Sequence, residues 1–283
     1  MSPVAEGRFI DILPALQAVA ARACGPLAFE HPGQLAWSSI YEGRESPAAV
    51  FGGNGDAAYG FLEAPGTLEV GGDPGRAGEV IEWARGRSAG FTVMVLDGPL
   101  ADRLVSLGGK VTEDAPWSVQ QTIDLAAVTV PDIPGYRFRP VERHEAAERA
   151  RCHRAAWSDS RPSRMTEQMY RWLMDAPGYD PALDWVAVSD ADGAMAASCV
   201  TWVCGQVALV EPVGCDPAHR RKGLGGGVTL AALAAARQRG AATGIVRPAG
   251  HPGYPAPALV YRSIGFRDRL RTREISFGER PAA

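Results

Sequence analysis

Arg220, Arg221 and Lys222 place three cations side by side, and Gly223, Gly225, Gly226 and Gly227 follow at once. Glycines without side chains let a ligand approach the main chain closely and tolerate left-handed backbone angles. The run Val213-Gly214-Cys215 reads as the end of a buried strand, Asp216-Pro217 as a turn, and Val228 to Arg239 as a helix. Val228, Leu230, Ala231, Leu233 and Ala234 give that helix an apolar side, and Gly240 stands as its C′ residue. The first turn of a helix leaves its N–H groups unpaired and carries about half a positive charge. Cations, glycines and a helix start together form an anion cradle. Its spelling is R-x-x-G-x-G, through Arg220, Gly223 and Gly225 with Leu224 between them; it has neither the K-[ST] of a Walker A loop nor the G-x-G-x-x-G order.

Glu211 lies in the apolar run Val207-Ala-Leu-Val-Glu-Pro-Val that enters the cradle. A carboxylate there is costly unless it is used or paired. Two readings fit: a carboxylate that is put to use, or an edge glutamate that faces solvent or meets an arginine. The five cysteines, Cys24, Cys152, Cys199, Cys204 and Cys215, show no framework spacing and no C-x-x-C, so reduced thiols in a cytoplasmic protein are expected, with no metal site.

The segment from Val213 to Gly226 resembles the acetyl-CoA pyrophosphate loop of the GNAT superfamily of N-acetyltransferases. A second segment, Ala258-Leu-Val-Tyr261-Arg-Ser-Ile-Gly265-Phe266, resembles the helix and turn that this family spells A-x-x-L-Y-x-x-x-G-F. Where many members carry an Asn seven residues before that Tyr, this chain has Tyr254. The resemblance implies acetyl-CoA as co-substrate, with the backbone of Val213, Gly214 and Cys215 along its pantetheine arm. It gives the pyrophosphate to the N–H groups from Arg220 to Gly226, with Arg221 and Lys222 free to meet phosphate or solvent. Glu211 takes the role of general base, and Tyr261 that of proton donor to the leaving thiolate; a packed helix tyrosine is the other reading of Tyr261. Trp157 and Asp159, in the loop after a first helix, and Trp202, on a central strand, are candidates for the acceptor groove, or for plain packing or surface. The expected reaction is direct attack, in a ternary complex, by the primary amine of a small molecule. A peptide or protein amine, or a non-catalytic acyl-CoA-binding regulator, are the alternatives.

Elements must aim these residues, and their order is readable. In the first half Phe9 to Cys24 reads as a helix, and Ala48 to Phe51 with Ala57 to Phe61 as a hairpin around Gly52 to Asp56. Thr67 to Val70, Arg76 to Arg87, Phe91 to Leu96, Leu100 to Leu107 and Trp117 to Leu125 then alternate strand, helix, strand, helix, strand. In the second half Tyr136 to Val141 is a strand, Glu142 to Trp157 and Thr166 to Met174 are helices, and Trp185 to Val188, Ala194 to Val203 and Val207 to Cys215 are strands. Leu68-Glu-Val-Gly-Gly-Asp73-Pro74 parallels Glu211-Pro-Val-Gly-Cys-Asp216-Pro217, and Ser106-Leu-Gly108 parallels Ser263-Ile-Gly265. The first copy has no R-x-x-G-x-G, and Leu104 stands where the second has Tyr261. The expectation is an α/β fold of mixed sheets with two GNAT-like domains in tandem: a degenerate one over 1–130, a proline-stiffened linker over 131–135 and a catalytic one over 136–283.

At 283 residues, 46% hydrophobic and 22% charged, the chain has material for two cores. A net charge of −3 speaks against a nucleic-acid partner, and the absence of a long apolar run speaks against a membrane one.

Overall fold

The computed structural model describes residues 2–53, 55–63, 66–159, 162–250 and 255–278. Asn54 of the expected hairpin turn, Arg161 of the loop after the first helix of the second half, and Tyr254 lie outside them.

The elements run β1 (Ala5–Arg8), α1 (Phe9–Ala23), α2 (Pro32–Ser38), β2 (Pro47–Phe51), β3 (Ala58–Glu63), β4 (Thr67–Gly72), α3 (Ala77–Arg85), β5 (Gly90–Leu96), α4 (Pro99–Ser106), β6 (Lys110–Val111) and β7 (Val119–Asp124). They continue with β8 (Tyr136–Pro140), α5 (Ala146–Ala156), α6 (Glu167–Met174), β9 (Asp184–Ser189), β10 (Met195–Cys204), β11 (Val207–Cys215), α7 (Leu224–Gln238), β12 (Thr243–Val246), α8 (Ala256–Ser263) and β13 (Arg267–Gly278). Two compact units result. One holds the chain up to Gln121 with Arg247–Ala258 and the residues from Asp268; the other holds Thr122–Val246 and Leu259–Arg267.

These units correct the expected boundaries at 130 and 136. The reason is strand pairing: β13 runs antiparallel to β5, from Thr272 opposite Leu96 to Gly278 opposite Gly90. Ile275 and Phe277 thereby bury in one core with Phe91, Val93 and Leu104 of the first unit. Ile133, in the segment expected as a linker, packs against the second unit's core, and Val128 just before that segment is buried in it.

In the first unit β1, β2, β3 and β4 pair antiparallel in sequence, and β4 meets β5 in parallel at Thr67 opposite Thr92. The second unit repeats the plan: β8, β9, β10 and β11 are antiparallel, and β11 pairs β12 in parallel. Side chains alternate across a strand, and β11 shows it. A Cβ on Gly214 would meet Ala156 and Trp157 at the end of α5, while Val213 and Cys215 on either side of it pack against the core that Leu224 and Val228 of α7 share. The two helices therefore cover opposite faces of this sheet. Leu224, Val228, Ala232, Leu233 and Ala236 of α7 share a core with Ala208 and Val210 of β11.

Candidate functional site: an open strand edge leading into a glycine cradle

Along β11, the pairing with β12 covers only Val207 to Leu209 among the described residues. The rest of β11, to Cys215, is held from one side by β10, and its other edge is open to an extended ligand. Beyond it the Asp216 carboxylate accepts from the Ala218 N–H at 3.0 Å and caps a short turn, Pro217–His219. Arg221 has φ of +63° and Gly223 of +81°. A left-handed arginine is uncommon, and such strained residues gather at ligand sites. α7 begins at Leu224, four residues before the expected Val228, because the Gly227 N–H already donates to the Gly223 carbonyl at 2.9 Å. The N–H groups of Leu224, Gly225 and Gly226 precede that first helical bond. A Cβ on Gly226 would lie 2.8 Å from Ile264 Cγ2, and one on Gly227 2.5 Å from Phe138 Cζ, so packing requires both glycines. At Gly225 an added Cβ meets no atom within 4 Å. Packing within the protein therefore does not require glycine at 225.

The three cations have different duties. Arg220 donates to Asp159 Oδ2 at 2.5 Å, to the Ala156 carbonyl at 2.9 Å and to the Cys215 carbonyl at 3.3 Å. Asp159, expected at the acceptor groove, is thus a brace between the end of α5 and the cradle, and the Arg220 guanidinium holds its carboxyl below the ordinary range. Lys222 donates to the Tyr136 hydroxyl at 2.7 Å, which lies 2.9 Å from His219 Nδ1. Lys222 is therefore tethered rather than free. Arg221 is exposed and has no side-chain bond among the described residues.

Glu211 and Pro212 together oppose Val200 alone, since the ladder passes from Cys199–Val213 to Thr201–Val210. That is a bulge, a device that re-aims a side chain. Glu211 is half-buried there. Tyr261, also half-buried, packs edge-on against Phe266 at 5.5 Å, and Gly265, with φ of +103°, turns the chain between them. Burial first, and the charges of Cys199 and Glu211 after it, push the Tyr261 phenol well above its ordinary value. The two candidates for acid–base work thus stand within electrostatic reach of each other. Burial pushes the Cys215 thiol up to about 11, which leaves it little thiolate at neutral pH.

Trp157 lies over Gly214, where an added Cβ would come 2.5 Å from its ring, and it stacks on His153 at 4.3 Å. Trp202 is 1% exposed and donates its indole N–H to the Glu211 carbonyl at 2.8 Å. Its candidacy for an open groove wall is corrected, since it is a buried partner of the strand. Sequence reasoning missed a buried cluster beside it. Asp184 accepts from Arg149 Nε at 3.2 Å, from the Tyr179 hydroxyl at 2.9 Å and from the Tyr170 hydroxyl. The signal for it was a carboxylate inside an apolar stretch, Asp184 between Leu183 and Trp185.

Residues 121–245 match the family model described as Acetyltransferase (GNAT) domain. The chain carries a GNAT acetyltransferase domain. No curated protein sequence matches it. Solved structures share its fold along nearly the whole length. A tandem GNAT protein from the clavulanic acid biosynthesis pathway is 19% identical, with 99% of each chain covered and a TM-score of 0.63. A GCN5-related N-acetyltransferase from Sphaerobacter thermophilus is 18% identical over 99% of this chain and 96% of that one, at 0.58. A GNAT-family acetyltransferase from Colwellia psychrerythraea is 13% identical over 94% and 96%, at 0.61.

The first unit of this tandem GNAT fold keeps the turns and lacks the cradle. Asp73 accepts from the Gly75 N–H at 2.8 Å as Asp216 does from Ala218, but α3 starts directly at Ala77. Arg76 there is paired with Asp56 and Glu79, and Glu79 puts a negative charge on the helix's first turn. At the second matching turn Gly109 N–H bonds the Leu104 carbonyl as Phe266 bonds Tyr261, both at 3.1 Å, and Leu104 is fully buried. Among the described residues no group of His, Cys, Asp or Glu could hold a metal ion, and no helix is long and apolar enough to cross a membrane.

Proposed function

We propose that the second unit transfers an acetyl group from acetyl-CoA to the primary amine of a small molecule, by direct attack in a ternary complex. The observation that carries this reading is the open edge of β11, which runs from the bulged Glu211 straight into the Gly223–Gly226 cradle. An extended thioester arm bonding to Val213 and Cys215 puts its pyrophosphate at the helix start, where N–H groups and Arg221 meet it. Its reactive end then lies toward Glu211 and Tyr261. The Glu211 carboxylate accepts the proton of the ammonium, directly or through water, and the free amine attacks the thioester carbonyl. The tetrahedral adduct expels the thiolate, which takes the proton of Tyr261, and the new amide nitrogen gives up its extra proton, directly or through water, to restore the phenol.

With Arg76 neutralised and no loop between its turn and α3, the first unit is read as degenerate, and one CoA per chain is the expected stoichiometry. Titration calorimetry with CoA and a screen of primary amines with acetyl-CoA, read by product mass, test both parts. Two CoA per chain would overturn the degeneracy. Products on peptide amines alone would move the substrate class, and CoA binding with no transfer to any amine would make the chain a binding protein.

A further inference from the structure

The Glu211 carbonyl sits in a bulge, where the regular ladder is interrupted. It accepts from the indole N–H of Trp202 at 2.8 Å. Trp202 is 1% exposed, so water competes little for that bond. The indole is itself fixed. Tyr179 meets it edge-on at 6.2 Å, and the Tyr179 hydroxyl is held at 2.9 Å by Asp184. Asp184 and Arg149 form an ion pair with both side chains fully buried, and Arg149 lies 4.8 Å above the Tyr170 ring. A phenylalanine or leucine would fill the same apolar space; the bond to one bulged carbonyl needs the N–H.

We propose that Trp202 is a positioning residue: its indole N–H fixes the peptide plane at Glu211 and so aims the carboxylate toward Tyr261. Planarity ties the Glu211 Cα to that carbonyl, so holding the plane holds the root of the side chain, from which only staggered rotamers lead. Asp184 anchors the Tyr179 and Trp202 rings from behind. This assignment rests on the reading of Glu211 as the base, and the tether itself is a statement about geometry.

Trp202→Phe removes the N–H and keeps an aromatic ring, and benzothienylalanine at 202 replaces the N–H by sulfur in a ring of nearly the same shape. The readout is the ¹³C carboxyl resonance of Glu211, assigned by its loss in Glu211→Gln, with the exposed Glu113 and Glu167 as internal references. Both replacements are expected to shift the Glu211 resonance, leave the two references in place and keep the affinity for CoA within about twofold. With an amine from the screen, kcat falls about tenfold or more while the KM for acetyl-CoA holds. A Glu211 resonance unmoved by either replacement overturns the proposal, whichever variant folds. So does parent turnover in the Trp202 variants beside an inactive Glu211→Gln. A Glu211→Gln variant with parent turnover would instead remove the carboxylate from the chemistry, and the resonance shift would still report the tether.

Discussion

A carboxylate within an apolar strand run costs free energy unless something uses it, and Glu211 stands where the ladder is broken, within electrostatic reach of Tyr261. Glu211→Gln keeps the size and removes the proton acceptor. Turnover is expected to fall by roughly 10² to 10⁴, with CoA affinity unchanged. Tyr261→Phe is expected to lower turnover to a similar degree for a different reason. Since burial and the neighbouring charges raise the phenol's pKa, it keeps its proton throughout the neutral range and serves as donor there. The rise of rate with pH therefore belongs to the base and the amine, and it persists in Tyr261→Phe. A pH–rate series of both variants checks this; near-parent turnover of Glu211→Gln below neutral pH would make the carboxylate structural. Glu211 was legible in the sequence because its type clashed with its neighbours. The duty of Asp159 was not, because its partner Arg220 lies far along the chain and nothing local marks the pair.

At the scale of elements, the strand-turn-helix order around the cradle was legible, but the start of α7 was not. Glycines read as loop residues, and here Gly225, Gly226 and Gly227 are all helical, with Ile264 and Phe138 pressed against the last two. That difference makes a prediction. Gly225→Val adds its side chain to open space, so the fold is kept, while CoA affinity is expected to drop about 100-fold or more, about 2.7 kcal/mol. Gly227→Val instead drives a side chain into Phe138 and Ile133 and costs about 1–3 kcal/mol of stability. Calorimetry with CoA beside thermal unfolding separates the two effects. α5 offers a second test, through His153, which burial above all, with Arg149 and Arg154, lowers to about 3. Its folded-state pKa lies below the unfolded value near 6.5, so the unfolded chain binds more protons between the two. Stability from the neutral imidazole is complete above about pH 6.5 and is lost as pH falls toward about 3, by up to about 1.4 kcal/mol per pH unit. His153→Phe keeps a ring against Trp157 and should lose less stability than the parent over that window. Equal pH dependence in denaturant unfolding would mean that His153 is protonated in the fold.

At the scale of the whole molecule the tandem plan was legible from the two Asp-Pro turns and the two Ser-x-Gly turns, each of which forms the same local structure in both units. The membership of the last strand was not. β13 alternates and carries its own apolar residues, and nothing in such a pattern says which sheet edge it will join. In the fold it pairs with β5, and Ile275 is fully buried among first-unit residues. Had the chain followed sequence order, a change at Ile275 would disturb the unit that carries the cradle. Because it does not, Ile275→Ala is expected to open a cavity in the first unit's core and cost that unit about 2–5 kcal/mol. Amide hydrogen exchange is the suitable measurement, since local openings report the stability of each region separately. Amides of β5 and β13 should lose protection in Ile275→Ala, those of β10 and β11 should keep it, and CoA should bind with the parent's affinity at a temperature where the second unit is intact. Loss of protection centred on β10 and β11, with weakened CoA binding, would assign β13 to the cradle's unit and undo the division of the chain drawn here.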